Sequence, residues 1–217
     1  MMATTMRAKP QRARGLTVVE VLLVIATVVL VAAVLLPMLA KPKGSPRIPC
    51  VSNLKQVGLA FRLWSNDNND QFPQVSTNVA SSLAWANSPQ VFRHFQAMSN
   101  ELVTPKVLIC PSDEKRTKAS DFVNFSNANL SYFIALDADE SKPQRLLSGD
   151  RNITGGTLSN GFLRILTSNT LAGWTTNLHN KSGNLGLSDG STMQASEKYL
   201  HRQLELGDLP TVRLAIP

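Results

Sequence analysis

Arg12-Ala13-Arg14-Gly15-Leu16-Thr17-Val18-Val19-Glu20 leads into an uncharged apolar run from Val21 to Leu36. A lone carboxylate at the head of such a segment is informative. An ionised side chain at the centre of a bilayer helix costs roughly 2.5–3.5 kcal/mol on insertion scales, so a residue kept there has a partner or a function. Between Leu16 and Ala40 only Glu20 is charged. A helix of roughly 25 residues rises about 37 Å, against a hydrocarbon core near ~30 Å. A secretory signal peptide fits poorly, because its apolar stretch runs about 7–15 residues. Met38-Leu39-Ala40 is also a weak cleavage site, and no cysteine follows closely enough for a lipoprotein anchor. A plain single-pass anchor is the simpler alternative.

The basic leader, Gly15, Thr17, Val18, Val19 and Glu20 resemble the processing site of type IV prepilins and type II secretion pseudopilins, with Leu16 where phenylalanine is commonest. The resemblance implies cleavage after Gly15 by a prepilin peptidase, which also methylates the new amino terminus at Leu16. It implies that Glu20 neutralises the free amine of a neighbouring subunit and so sets register during assembly. The physics is compatible, since an amine and a carboxylate that meet in an apolar medium relieve each other's desolvation. The implied partners are the peptidase/methylase, other pilin or pseudopilin subunits and an inner-membrane assembly platform. Pro37 falls where many pilins carry a helix-loosening proline.

Composition bounds the remainder. The 217 residues suffice for one apolar segment and one globular domain of about 150 residues. The formal charge is +7, but Arg7, Lys9, Arg12 and Arg14 lie in the first 15 residues; without them 18 basic residues face 15 acidic ones. The high pI belongs mostly to the leader, and no nucleic-acid partner is expected. The leader charges favour a cytoplasmic amino terminus, although Lys41, Lys43 and Arg47 flank the other side. The expected location is the bacterial inner membrane, single-pass, with a periplasmic head that later joins a periplasmic or cell-surface filament.

Cys50 and Cys110 suit an exported domain. Neither belongs to a CxxC pair, so no metal is expected; they either close one disulfide or stand as two buried thiols.

Pro42, Gly44, Pro46 and Pro49 oppose a continuous helix across residues 41–49. Val51, Leu54, Val57, Phe61 and Trp64 then recur at helical period, and Asn66-Asp67-Asn68-Asn69-Asp70 ends that helix. The Cys50–Pro73 stretch, Leu108-Ile109-Cys110-Pro111-Ser112-Asp113, and His179 followed by Asp189-Gly190 resemble a pseudopilin-like branch of planctomycete and verrucomicrobial bacteria. Further on, Ser88-Pro89 starts a helix with Val91, Phe92, Phe95, Met98 and Leu102 on its face. Short strands fit residues 106–110, 130–136, 144–149, 161–166, 173–179 and 184–187. Asp189-Gly190 turns the last of these into 192–195, and a helix at 196–206 follows.

The expected fold is therefore α+β and pilin-like: a leader at 1–15, a transmembrane assembly helix at 16–40, a joint at 41–49 and a head at 50–217. In the head an amphipathic helix packs on an antiparallel sheet.

No GxSxG, HExxH, P-loop or GxGxxG motif is present, and His94, His179 and His201 show no ligand spacing. No catalytic residue and no cofactor is expected. His179 reads as a partner that orders the turn before the Asp-Gly hairpin. Asp137, Asp139 and Glu140 could gather calcium, but Lys142 and Arg145 nearby favour a solvated loop. The expected function is a structural subunit of a pseudopilus or pilus-like filament. A minor pilin or adhesin, or a tethered domain of other activity, is the alternative.

Overall fold

Thr17 opens the first helix, α1 (Val18–Leu39), in a computed structural model that describes residues 17–39 and 47–217. The chain divides into two units, residues 1–44 and 45–217. The expected cleavage site, Gly15 and Leu16, lies outside the described residues, as does most of the joint.

Among the described residues, no helix is long and apolar enough to cross a membrane. This overturns the expected transmembrane helix at 16–40, and with it the single-pass inner-membrane placement with a cytoplasmic amino terminus and periplasmic head. The physical reason lies in the first turn. Glu20 is engaged in polar bonds there, so the uncharged run begins at Val21. Beyond it the described helix runs only to Leu39, with Pro37 in its last turn.

The second unit begins with α2 (Arg47–Asn66). Pro49 is in its first turn, where backbone N–H groups have no helical acceptor and proline does no harm. Of the expected stripe, Leu54, Val57, Phe61 and Trp64 are buried, while Val51 is only half-buried and Cys50 beside it takes the core position. The expected helix from Ser88 is two short ones, α3 (Phe92–Gln96) and α4 (Ser99–Leu102). Val103, at φ 61°, breaks the path after α4. The expected strand at 106–110 is instead a 3-10 turn over Pro105–Leu108, because Thr104 caps it and Pro105 presets its first dihedral.

Nine strands follow in chain order. They are β1 (Tyr132–Ala135), β2 (Leu146–Asp150), β3 (Ile153–Thr154), β4 (Thr157–Ser159), β5 (Leu163–Leu166), β6 (Gly173–Trp174), β7 (Gly183–Leu187), β8 (Thr192–Ala195) and β9 (Val212–Ala215). Helix α5 (Glu197–Leu206) sits between β8 and β9 and ends at Gly207. Seven strands make an antiparallel sheet in the order β4-β5-β9-β1-β2-β7-β8, and β3 pairs with β6 separately. The carboxy-terminal strand β9 enters between β5 and β1, with Ala215 opposite both Leu163 and Ile134. A sheet with its last strand driven through the middle is not clearly a pilin head, and the pilin-like fold class is corrected accordingly.

Strands β1, β2 and β7 are buried along their whole length, and β2 and β7 bury Ser148, Asp150 and Asn184 together with their apolar residues. Helix α2 packs across β7 and β8. A Cβ added at Gly58 of α2 would stand 3.3 Å from the Gly190 Cα, so the helix meets the β7–β8 turn backbone to backbone. Arg62 fixes that contact by donating to the Asp189 carbonyl at 2.8 Å.

Candidate functional site

The amino-terminal helix is apolar on every side. Its described aliphatic side chains, Val18 and Leu30 among them, are largely exposed. A helix that is hydrophobic all round is stable only when something covers it. Its one charge is locally bound. Glu20 Oε2 accepts from the Thr17 backbone N–H at 2.9 Å and from Thr17 Oγ1 at 3.0 Å, while the Glu20 N–H points back at Thr17 Oγ1 at 3.4 Å. This is a capping box, and it also places a carboxylate at the positive end of the helix dipole. Those bonds hold the Glu20 carboxyl below its usual range. Among the described residues, Oε1 carries no hydrogen bond, so Glu20 can accept one further donor. Thr17-x-x-Glu20 was legible as a capping box in the sequence, and the reading of Glu20 overlooked it.

A second constellation lies in the head. Cys50, in the first turn of α2, is disulfide-bonded to Cys110. The His179 ring joins them, its Nε2 3.4 Å from Cys110 Sγ. The same nitrogen lies 3.3 Å from Asp150 Oδ2 and 3.2 Å from Asn184 Nδ2. Asn184 gives Asp150 Oδ2 two N–H bonds, from its backbone at 2.8 Å and from Nδ2 at 2.9 Å.

Strand register explains the meeting. Gly149 pairs with Leu185, which brings the next residue, Asp150, beside Asn184. Burial pushes the Asp150 carboxyl up to about 7, against the Asn184 bonds that pull it down. Burial likewise lowers His179, and the Arg47 guanidinium adds to that. Arg47 Nη2 donates to the His179 carbonyl at 2.6 Å, and Ser182 Oγ donates to the same oxygen at 2.7 Å. His179 is tied into its turn through its backbone carbonyl, a bond that any residue could supply, while its ring meets Cys110 and Asp150.

The sequence reading set zinc aside because no two ligands were close along the chain. The structure brings Cys50, Cys110 and His179 together, with their ligating atoms all within 4.8 Å of one another. Asp150 and Asn184 were missed altogether, since no local spacing marks residues that only a β-ladder joins.

The acidic loop is otherwise engaged. Asp137 takes three hydrogen bonds from Arg213, one from its backbone N–H and two from its guanidinium. Asp139 pairs with Arg145 at 3.6 Å, and Glu140 contacts Ser65 and pairs with Arg62 at 3.6 Å. Each carboxylate already faces an arginine, which leaves little attraction for calcium.

No protein family, curated protein or solved structure matches this chain.

Proposed function

We propose that this chain is the structural subunit of a pseudopilus- or type IV pilus-like filament. It is cleaved after Gly15 by a prepilin peptidase and methylated on the Leu16 amine. The observation that carries this reading is α1, a helix of exposed aliphatic side chains headed by one carboxylate. Copies of α1 packed side by side cover one another's apolar faces by dispersion contacts. Glu20 stays in its capping box through Oε2 while Oε1 receives the amine of the next subunit, which selects one register. The partners are then the peptidase/methylase, an assembly platform and further copies or homologous subunits. The head is presented by the filament rather than acting as an enzyme.

The test is intact mass and amino-terminal peptide mapping of the protein recovered from its own cells. A chain beginning at N-methylated Leu16 supports the reading. A chain beginning at Met1 or Met2, or cut near residue 40, overturns it. Glu20→Ala separates assembly from tethering, because a tether tolerates the change and a filament loses the subunit.

A further inference from the structure

A disulfide by itself requires no imidazole, yet Cys50–Cys110 has the His179 ring beside it, and the Asp150 carboxylate meets the same ring nitrogen. In a tetrahedral zinc site, with Zn–S near ~2.3 Å and Zn–N or Zn–O near ~2.0–2.1 Å, neighbouring ligand atoms stand about 3.3–3.8 Å apart. His179 Nε2 is already 3.4 Å from Cys110 Sγ and 3.3 Å from Asp150 Oδ2. Those are two edges of such a tetrahedron. Asp150 is fully buried, and its Oδ1 has no hydrogen-bond partner among the described residues. Oδ2 already takes both Asn184 N–H bonds, so a cation that draws on Oδ1 as well satisfies the oxygen left without a donor.

We propose that reduction of the Cys50–Cys110 bond converts this cluster into a site for a zinc-class divalent cation. Cys50 Sγ, Cys110 Sγ and His179 Nε2 are the ligands, and the Asp150 carboxylate closes the fourth position. Disulfide and metal are then alternative, mutually exclusive staples between the start of α2 and the segment that carries Cys110.

The chemistry balances. A dithiol reductant, itself oxidised to a disulfide, supplies two electrons and two protons that split the S–S bond into two thiols. Binding the cation displaces both thiol protons to solvent, leaving two thiolates on the metal. The charges close as well. The two thiolates balance the divalent cation, the imidazole is neutral, and the Arg47 guanidinium lies close enough to favour the Asp150 carboxylate. Thiolate and imidazole donors favour zinc over magnesium or calcium. Asn184, through its two N–H bonds, aims the carboxylate without being a ligand.

The experiment uses the full chain, reduced with a dithiol under argon, freed of reductant and titrated with Co²⁺ and then Zn²⁺. The expected result is one equivalent of cobalt with thiolate-to-cobalt charge-transfer and tetrahedral ligand-field bands, displaced by one equivalent of zinc. The oxidised chain gives no such spectrum. Asn184→Ala, which removes a bond that aims the carboxylate, weakens cobalt binding roughly 10- to 100-fold, Asp150→Asn weakens it at least as much, and the Cys50→Ser/Cys110→Ser double variant abolishes the charge-transfer band. Circular dichroism reports the fold throughout. A reduced chain that keeps its fold without taking up cobalt overturns the proposal. So does a reduced chain that unfolds and is not refolded by zinc, or equal binding by the oxidised form.

Discussion

Arg151 grips Asp113 through two parallel hydrogen bonds, Nε to Oδ2 and Nη2 to Oδ1, each 2.7 Å long. The pair ties the turn after Cys110 to the residue after Asp150, so it braces the buried cluster from outside. Asp113 is almost fully buried. Burial alone would raise its carboxyl, but Arg151 outweighs this and holds it below the usual range. Arg151→Ala leaves a buried carboxylate unpaired and is expected to lower stability by about 3–5 kcal/mol in urea denaturation. Arg151→Lys recovers only part of that, because an ammonium cannot make the two-pronged contact. The pair's contribution is present above the unfolded carboxyl value near ~3.9 and is lost as pH falls through the lower folded one. A Lys variant as stable as the parent would refute the two-pronged account.

Gly149 precedes Asp150 in β2 and is packed tightly against the strands on either side. A Cβ there would lie 2.7 Å from the Phe133 ring and 2.8 Å from the Asn184 carbonyl oxygen. Gly149→Ala is therefore expected to cost about 1–3 kcal/mol, as overpacking of a filled core does. Adding Phe133→Leu relieves the ring but not the carbonyl, so the double variant regains only part of the loss. Thermal denaturation of both variants, and of Phe133→Leu alone, beside the parent measures this. A neutral Gly149→Ala would mean that the β1–β2–β7 ladder is looser than these contacts imply.

What the sequence made legible was local. The α2 stripe, the Asp189-Gly190 turn with Gly190 at φ 81°, and the helix ending at Gly207 rest on short-range chemistry that residue spacing records. Strand β9 does alternate, with Val212 and Leu214 buried and Arg213 exposed, but the run is too short to stand out until its pairing with β1 and β5 is seen. The buried cluster escaped for a similar reason. Cys50, Cys110, Asp150 and His179 sit on four separate segments, and their meeting depends on ladder register and on α2 docking. The membrane reading of 16–40 is overturned because no described helix is long and apolar enough to cross a membrane, and Glu20 belongs to the cap of α1.

The disulfide joins residues 60 apart in sequence. Closing a loop of that size restrains the unfolded chain by about 4 kcal/mol in chain-entropy terms. Cys50→Ser/Cys110→Ser, free of added metal, is expected to lose stability on that order. For a protein of this size the loss corresponds to a Tm lower by roughly 8–16 °C. Calorimetry of the oxidised parent and the double variant checks it. A shift of only a degree or two would show that packing around Cys50 and Cys110 already does what the bond was credited with.

His94 supplies the pH dependence that can be isolated best. It is fully buried, with Nδ1 2.8 Å from Ser82 Oγ and no hydrogen-bond partner for Nε2 among the described residues. Burial lowers its pKa from 6.5 to about 4. The unfolded chain therefore binds a proton below about pH 6.5 that the folded chain refuses until about pH 4, so stability is full above the first value and falls toward the second. Between pH 7 and pH 5 the loss is about 2 kcal/mol. His179 and Asp150 also titrate, so the slope must be compared with that of His94→Asn, in which only the His94 part is removed. Urea midpoints at pH 7, 6 and 5 for both chains give the answer: the variant's line is expected to be flatter by that amount. Parallel lines would mean that His94 takes up its proton in the folded state as readily as in the unfolded one.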